Sequence, residues 1–180
     1  MPVVFTTDEA SIKRYGGRID ESIASGLSSE IEVHRIPDDR PVFTKWSKWR
    51  MYRYLWTFKH LKFLDVYAEW GRSAVQEVKQ RLNNGEFDTV YISVAPVSVA
   101  YEFAKLRNEM EFNLVVDFRD PYTDAYGHTF PGEKAWSKAL EAEKTIVESS
   151  DKVIVNTPEV CKVFKKRYPD AAKNIQVITN

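Results

Sequence analysis

The run Asn113-Leu114-Val115-Val116-Asp117-Phe118-Arg119-Asp120-Pro121-Tyr122-Thr123-Asp124 decides the fold. Leu114, Val115, Val116 and Phe118 are strand-forming and lead straight into a polar turn closed by Pro121, which predicts a buried parallel strand delivering Asp117, Arg119 and Asp120 to its carboxyl end. Open α/β sheets bind their ligands at that edge. An arginine between two aspartates also suits a self-satisfied ion cluster that ties a loop down, so spacing alone leaves both readings standing.

Outward from this strand, helical and extended periods alternate, as a parallel sheet with crossover helices requires. Downstream, Glu133 to Ser150 is periodic, with Trp136, Ala139, Leu140, Ile146 and Val147 predicted on its inner face. A strand over Lys152 to Asn156, a helix opened by Pro158 and stopped by Pro169, and a last strand over Asn174 to Thr179 follow. Upstream, Asp65 to Leu82 reads as a covering helix stopped at Asn83-Asn84-Gly85, and Phe87 to Ser93 as a strand. That strand exits through Ser93, Pro96 and Ser98 into a helix over Val97 to Met110. Its free backbone N–H groups would suit a hydroxyl or phosphate, although a plain N-cap by Ser93 or Ser98 is entirely adequate and is the stronger reading. Nearer the start, Pro2 to Thr6 and Glu30 to Ile36 read as strands. Between them Asp20 is a candidate cap for a short helix through Ala24. His34 reads as a packed or surface histidine, and His128, just past the acidic turn, as a surface histidine within reach of a ligand there.

At 180 residues the chain suits one domain spanning 1–180. Its 26 basic and 26 acidic residues cancel, so no whole-molecule field favours nucleic acid. The single Cys161 has no disulfide partner and reads as a small buried hydrophobe. With no signal peptide or long apolar run, a cytoplasmic setting is expected. No dinucleotide fingerprint, phosphate-binding Gly-Lys-Ser/Thr loop, His-Glu-x-x-His or paired Cys-x-x-Cys occurs, and no metal site is expected. A magnesium phosphotransferase would set its aspartates two apart with a threonine four after the first; here the spacing is three and Pro121 holds the threonine's place.

One local patch stands out. Between Arg40 and Asp65 lie Lys45, Lys48, Arg50, Arg53, Lys59 and Lys62 with no acidic residue, interleaved with aromatics that include Trp46, Trp49 and Trp56. Trp46, Trp49, Arg53 and Trp56 share one helical side, so this segment suits an amphipathic helix on an anionic membrane, or one that packs its rings and leaves its lysines in water.

Asp117 to Tyr122 resembles the "DFRDPW" signature in the acceptor-side domain of family 4 glycosyltransferases of the GT-B fold, with Tyr122 where Trp is usual. Phe5-Thr6-Thr7, Asp20-Glu21-Ser22-Ile23 and Val33-His34-Arg35-Ile36-Pro37 are similar to that family's opening elements. Asp65 with Trp70, the Ser93 to Ser98 turn, the run from Ser150 to Pro158 and the close at Ile175 to Asn180 are similar to its later ones.

The resemblance implies a Rossmann-like parallel sheet with helices on both faces, one half of a GT-B fold. It implies too that the family's first strand and the C-terminal donor-binding domain are absent. The missing strand would be central, so the remaining strands must close the gap or a partner must fill it, with a strand-mediated homodimer as one outcome. The implied activity is transfer of a sugar from a nucleotide-sugar to a glycan or lipid-linked acceptor by the intact enzyme. This domain would bind no cofactor and be silent alone. Many family members carry His-Asp where this chain has Arg119-Asp120, and Arg stays protonated, which leaves Asp120 or Asp117 to orient the acceptor hydroxyl and Arg119 to hold an anionic group. Ser93, Pro96, Ser98 and His128 are expected substrate contacts, and Lys45, Trp46, Lys48, Trp49, Arg50 and Arg53 membrane or acceptor contacts. A non-catalytic binding or membrane-docking module is the alternative.

Overall fold

The computed structural model describes residues 2–14, 17–18, 26, 28–38, 64–65, 67–94, 96–124, 130 and 132–179. They fall into two compact units, Met1–Tyr54 and Leu55–Asn180.

The first unit is built on two parallel strands, β1 (Val3–Thr7) and β2 (Glu32–Ile36), in register from Val3 opposite Glu32 to Thr7 opposite Ile36. A single-turn helix, α1 (Glu9–Arg14), follows β1 at once because Asp8 caps it, its Oδ1 accepting the Ser11 N–H at 2.7 Å. Buried Ser11 and Asp38 then tie α1 to the exit of β2, the Ser11 Oγ accepting the Asp38 N–H at 3.0 Å. The His34 ring lies 5.3 Å from that of Phe5, as a packed histidine should. The expected helix at Asp20–Ala24 lies outside the described residues.

The second unit runs α2 (Ala68–Asn83), β3 (Thr89–Val94), α3 (Val97–Leu106), β4 (Asn113–Phe118), α4 (Glu133–Ser149), β5 (Lys152–Val155), α5 (Pro158–Arg167), a 3-10 turn (Pro169–Asn174) and β6 (Ile175–Val177). All of its strands are parallel and lie in chain order, β3-β4-β5-β6, with Ser93 opposite Asp117 and Asp117 opposite Ile154. Crossovers between adjacent parallel strands are right-handed with very few exceptions, so strands laid in chain order send their helices to the same face. Burial agrees. Val90, Ile92, Val94, Leu114, Val116, Phe118, Val153 and Val155 are buried, whereas of the residues alternating with them Thr89, Tyr91, Ser93, Asn113 and Lys152 are exposed and Val115, Asp117 and Ile154 are half-buried.

Local chemistry explains the ends. Gly85 at φ +70° closes α2 where a side chain would be strained, and Gly132 at φ +85° opens α4. The Thr157 side chain accepts the Val160 N–H ahead of Pro158 at the start of α5. Cys161 is buried within that helix, as its neighbours foretold. On α4 the expected inner face needs one correction. Trp136, in the first turn, is 41% exposed, and Glu143 is fully buried beside Ala139, Ala142, Ile146 and Val147.

The architecture is α/β, with parallel sheets flanked by helices, as the sequence predicts. Among the described residues the strands form two separate sheets, and no ladder joins β1 or β2 to β3. No helix among the described residues is long and apolar enough to cross a membrane.

Candidate functional site

Beta-strand geometry sends Phe118 into the core, where it is fully buried edge-on against Phe164 with ring centroids 5.3 Å apart, and turns Asp117 to the other face. There the Tyr91 hydroxyl donates to Asp117 Oδ2 at 2.6 Å. Tyr91 stands opposite Val115, so Asp117 is its diagonal neighbour on β4, within reach of an aromatic side chain. That hydrogen bond, with some burial and the carboxylate charge, pushes the Tyr91 hydroxyl up to about 12.

Arg119 and Asp120 lie just beyond the strand, both exposed. Neither side chain has a hydrogen bond or ion pair among the described residues, so the self-satisfied ion cluster is not what forms. What the turn does with its backbone is different. The Asn156 side chain, at the end of β5, donates to the Arg119 carbonyl, and buried Tyr122 donates its hydroxyl to the Leu64 carbonyl at 3.3 Å. Desolvation, aided by the Asp65 and Glu143 charges, raises the Tyr122 hydroxyl to about 12.

One residue on, the chain is clamped. The Glu143 carboxylate accepts from the Thr123 N–H and hydroxyl at 3.0 Å each, from Arg167 Nη1 at 2.8 Å and from the Tyr168 hydroxyl at 2.7 Å. Arg167 also reaches Asp124 at 2.6 Å. Burial and the bond to Glu143 drive the Tyr168 hydroxyl far above its usual range. The turn therefore has fixed ends and free charged side chains between them.

At the exit of β3, Ser93 is exposed and Pro96 occupies the N-cap position of α3 in extended backbone. Ser98 is buried. Its N–H and its hydroxyl both donate to Asp65, at 2.8 and 2.5 Å. A carboxylate is the group that a helix N-terminus attracts, and Asp65 supplies one from within the chain. His128, Lys45, Trp46, Lys48, Trp49, Arg50 and Arg53 lie outside the described residues.

With this geometry in hand, two solved structures resemble the chain. It is similar to sucrose-phosphate synthase from Thermosynechococcus elongatus, with a TM-score of 0.48 and 14% identity over 100% of this chain and 89% of that one. It is also similar to UGT73P12 of Glycyrrhiza uralensis, solved with glycyrrhetinic acid 3-O-monoglucuronide, with a TM-score of 0.49 and 13% identity over 98% of this chain and 42% of that one. No family model and no curated protein matches the chain.

Chemically, the strand end offers one guanidinium that stays charged and one carboxylate ready to accept a hydroxyl hydrogen. Among the described residues no group of three His, Cys, Asp or Glu side chains is placed to hold a metal ion. Sequence reasoning missed Tyr91 and Glu143, and named Asp65 only through the resemblance, without its partner Ser98. Glu143 left one trace, a charged residue in register with the apolar stripe of its helix; Tyr91 and Asp65 find their partners only through the fold.

Proposed function

We propose that this chain is the acceptor-side domain of a nucleotide-sugar-dependent glycosyltransferase of the family 4, DFRDPW-type subgroup. The observation that carries the reading is the Asp117–Tyr122 turn at the carboxyl end of β4, held at its ends with the Arg119 and Asp120 side chains unpartnered. A solvent-exposed strand-end carboxylate is the group to orient an acceptor hydroxyl. Asp120 makes that contact, and Arg119 binds an anionic substituent of acceptor or donor. Asp117, tied to Tyr91, supports the turn from the sheet face. Transfer needs a donor-binding domain for the nucleotide-sugar, so the chain alone is silent.

The test is nucleoside diphosphate release from a panel of nucleotide-sugars, by this chain alone and by this chain joined to a GT-B donor-binding domain encoded with it. Release with acceptor only in the joined form supports the reading. Release by the chain alone contradicts it.

The composition of the segment from Lys45 to Arg53 favours a second role, docking on the inner face of an anionic membrane. Sedimentation with anionic liposomes that is lost when Lys45, Lys48, Arg50 and Arg53 are neutralised supports this role. Equal sedimentation of that variant rules it out.

A further inference from the structure

Arg119 and Asp120 are exposed, yet Tyr122 and Thr123 are buried, so the chain turns sharply inward through Pro121. A turn that passes from water to core so quickly is set by what grips its inner end. That grip converges on a side chain far along the sequence. Arg167, the last residue of α5, donates from Nη1 to the Thr123 hydroxyl and to Glu143 Oε1, at 2.8 Å each, and from Nη2 to Asp124 Oδ2 at 2.6 Å. One planar guanidinium thus fixes two consecutive residues of the turn to α4 and α5 together, a bridge that its rigid fork suits better than a single ammonium does.

Charge makes the guanidinium necessary. Glu143 is fully buried and accepts the Thr123 N–H and hydroxyl, but neutral donors do not cancel its charge. Among the described residues Arg167 is the cation that meets it. A carboxylate at that depth without its counterion is strongly unfavourable. Of its partners, Thr123 lies in a turn whereas Arg167 and Tyr168 end α5, so the turn gives way first. Losing Arg167 therefore releases the turn twice, at Asp124 directly and at Thr123 through Glu143. The other end is held from the same side, because Asn156, just past β5, donates to the Arg119 carbonyl. Between these two anchors stands Asp120, with Pro121 fixing the next φ, so the turn has little slack to absorb a displacement.

We propose that Arg167 is a positioning residue: through Thr123 and Asp124 it holds the Arg119–Asp120 turn where the Asp120 carboxylate meets an acceptor hydroxyl. This rests on the role proposed above for Asp120. Arg167 touches no reacting atom. Its contribution is placement, and a shift of about 1 Å in a reacting geometry lowers a rate by about 100-fold.

The first measurement is ¹⁵N relaxation on the full chain, which needs no turnover. The Arg119 and Asp120 amides are expected near the order parameter of rigid backbone, about 0.85, and below about 0.6 in Arg167→Met. Asp124→Ala, at an exposed site, leaves Glu143 all its donors, keeps the fold and gives a smaller drop. Val78→Ala, in the buried face of α2, is the control for lost stability and leaves both amides rigid. The second measurement is nucleoside diphosphate release by the chain joined to its donor-binding domain. There Arg167→Met is expected to lower kcat about 100-fold with KM nearly unchanged, Arg167→Lys to recover part of the loss, and Val78→Ala to match wild type. Rigid Arg119 and Asp120 amides in Arg167→Met, or an equal loss of order in Val78→Ala, overturn the positioning role. Where Arg167→Met does not melt cooperatively, Asp124→Ala decides by the same criterion. Wild-type turnover by Arg167→Met beside an impaired Asp120→Asn overturns it too. Full turnover by Asp120→Asn, or none by the joined wild type, overturns the reading of Asp120 instead and leaves Arg167 to be decided by relaxation.

Discussion

Two groups of charged side chains lie within a few residues of each other after β4, and they are built in opposite ways. Thr123 and Asp124 join Glu143, Arg167 and Tyr168 in a network where the fully buried carboxylate is met by four donors. Arg119 and Asp120 are exposed, with no side-chain partner among the described residues. Charge buried at this depth is tolerated only when it is saturated, so the first group is committed to holding the loop. The second group retains its hydrogen-bonding capacity for something outside the chain. Spacing in sequence does not separate these two cases; satisfaction of the side chains does.

The contrast can be broken first on the buried side. Glu143→Ala leaves the Tyr168 hydroxyl without its acceptor and takes from Arg167 one of its two carboxylate partners, and should cost about 3 kcal/mol in urea unfolding, as loss of one partner of a buried pair does. Tyr168→Phe removes one buried hydrogen bond to that carboxylate and should cost about 1 kcal/mol in the same measurement.

Alkali probes two tyrosines next to these groups. The Tyr91 and Tyr122 hydroxyls are raised from 10.0 to about 12 in the folded chain. The folded state therefore holds protons that the unfolded chain has lost, so their contribution is complete below pH 10 and disappears as pH rises through about 12. The melting temperature should fall across that window, and Tyr122→Phe should flatten the fall. The smallest effects belong to the exposed pair. Arg119→Gln and Asp120→Asn should each leave unfolding free energy within about 0.5 kcal/mol of wild type.

Much of the framework was legible because apolar periodicity reports burial directly. Val90, Ile92, Leu114, Val116, Val153 and Val155 mark one sheet face, and the helices follow from their stripes and from Pro158 and Gly85. What escaped was polar and long-range. Asp65 meets Ser98 from 33 residues away, Tyr91 meets Asp117 from 26 and Glu143 meets Arg167 from 24, and no local period encodes such pairs. Trp136 was misplaced because periodicity assigns a side of the helix but does not tell how far along its axis the covering surface extends.

The measurement that bears most directly on the unpartnered pair is turnover by Asp120→Asn once the chain is joined to a donor-binding domain. Because the substitution keeps size and stability and removes only the negative charge, a fall of about 100-fold or more in kcat is expected from losing a group that engages the acceptor hydroxyl. Turnover equal to wild type would show that the free carboxylate at the end of β4 has no part in transfer.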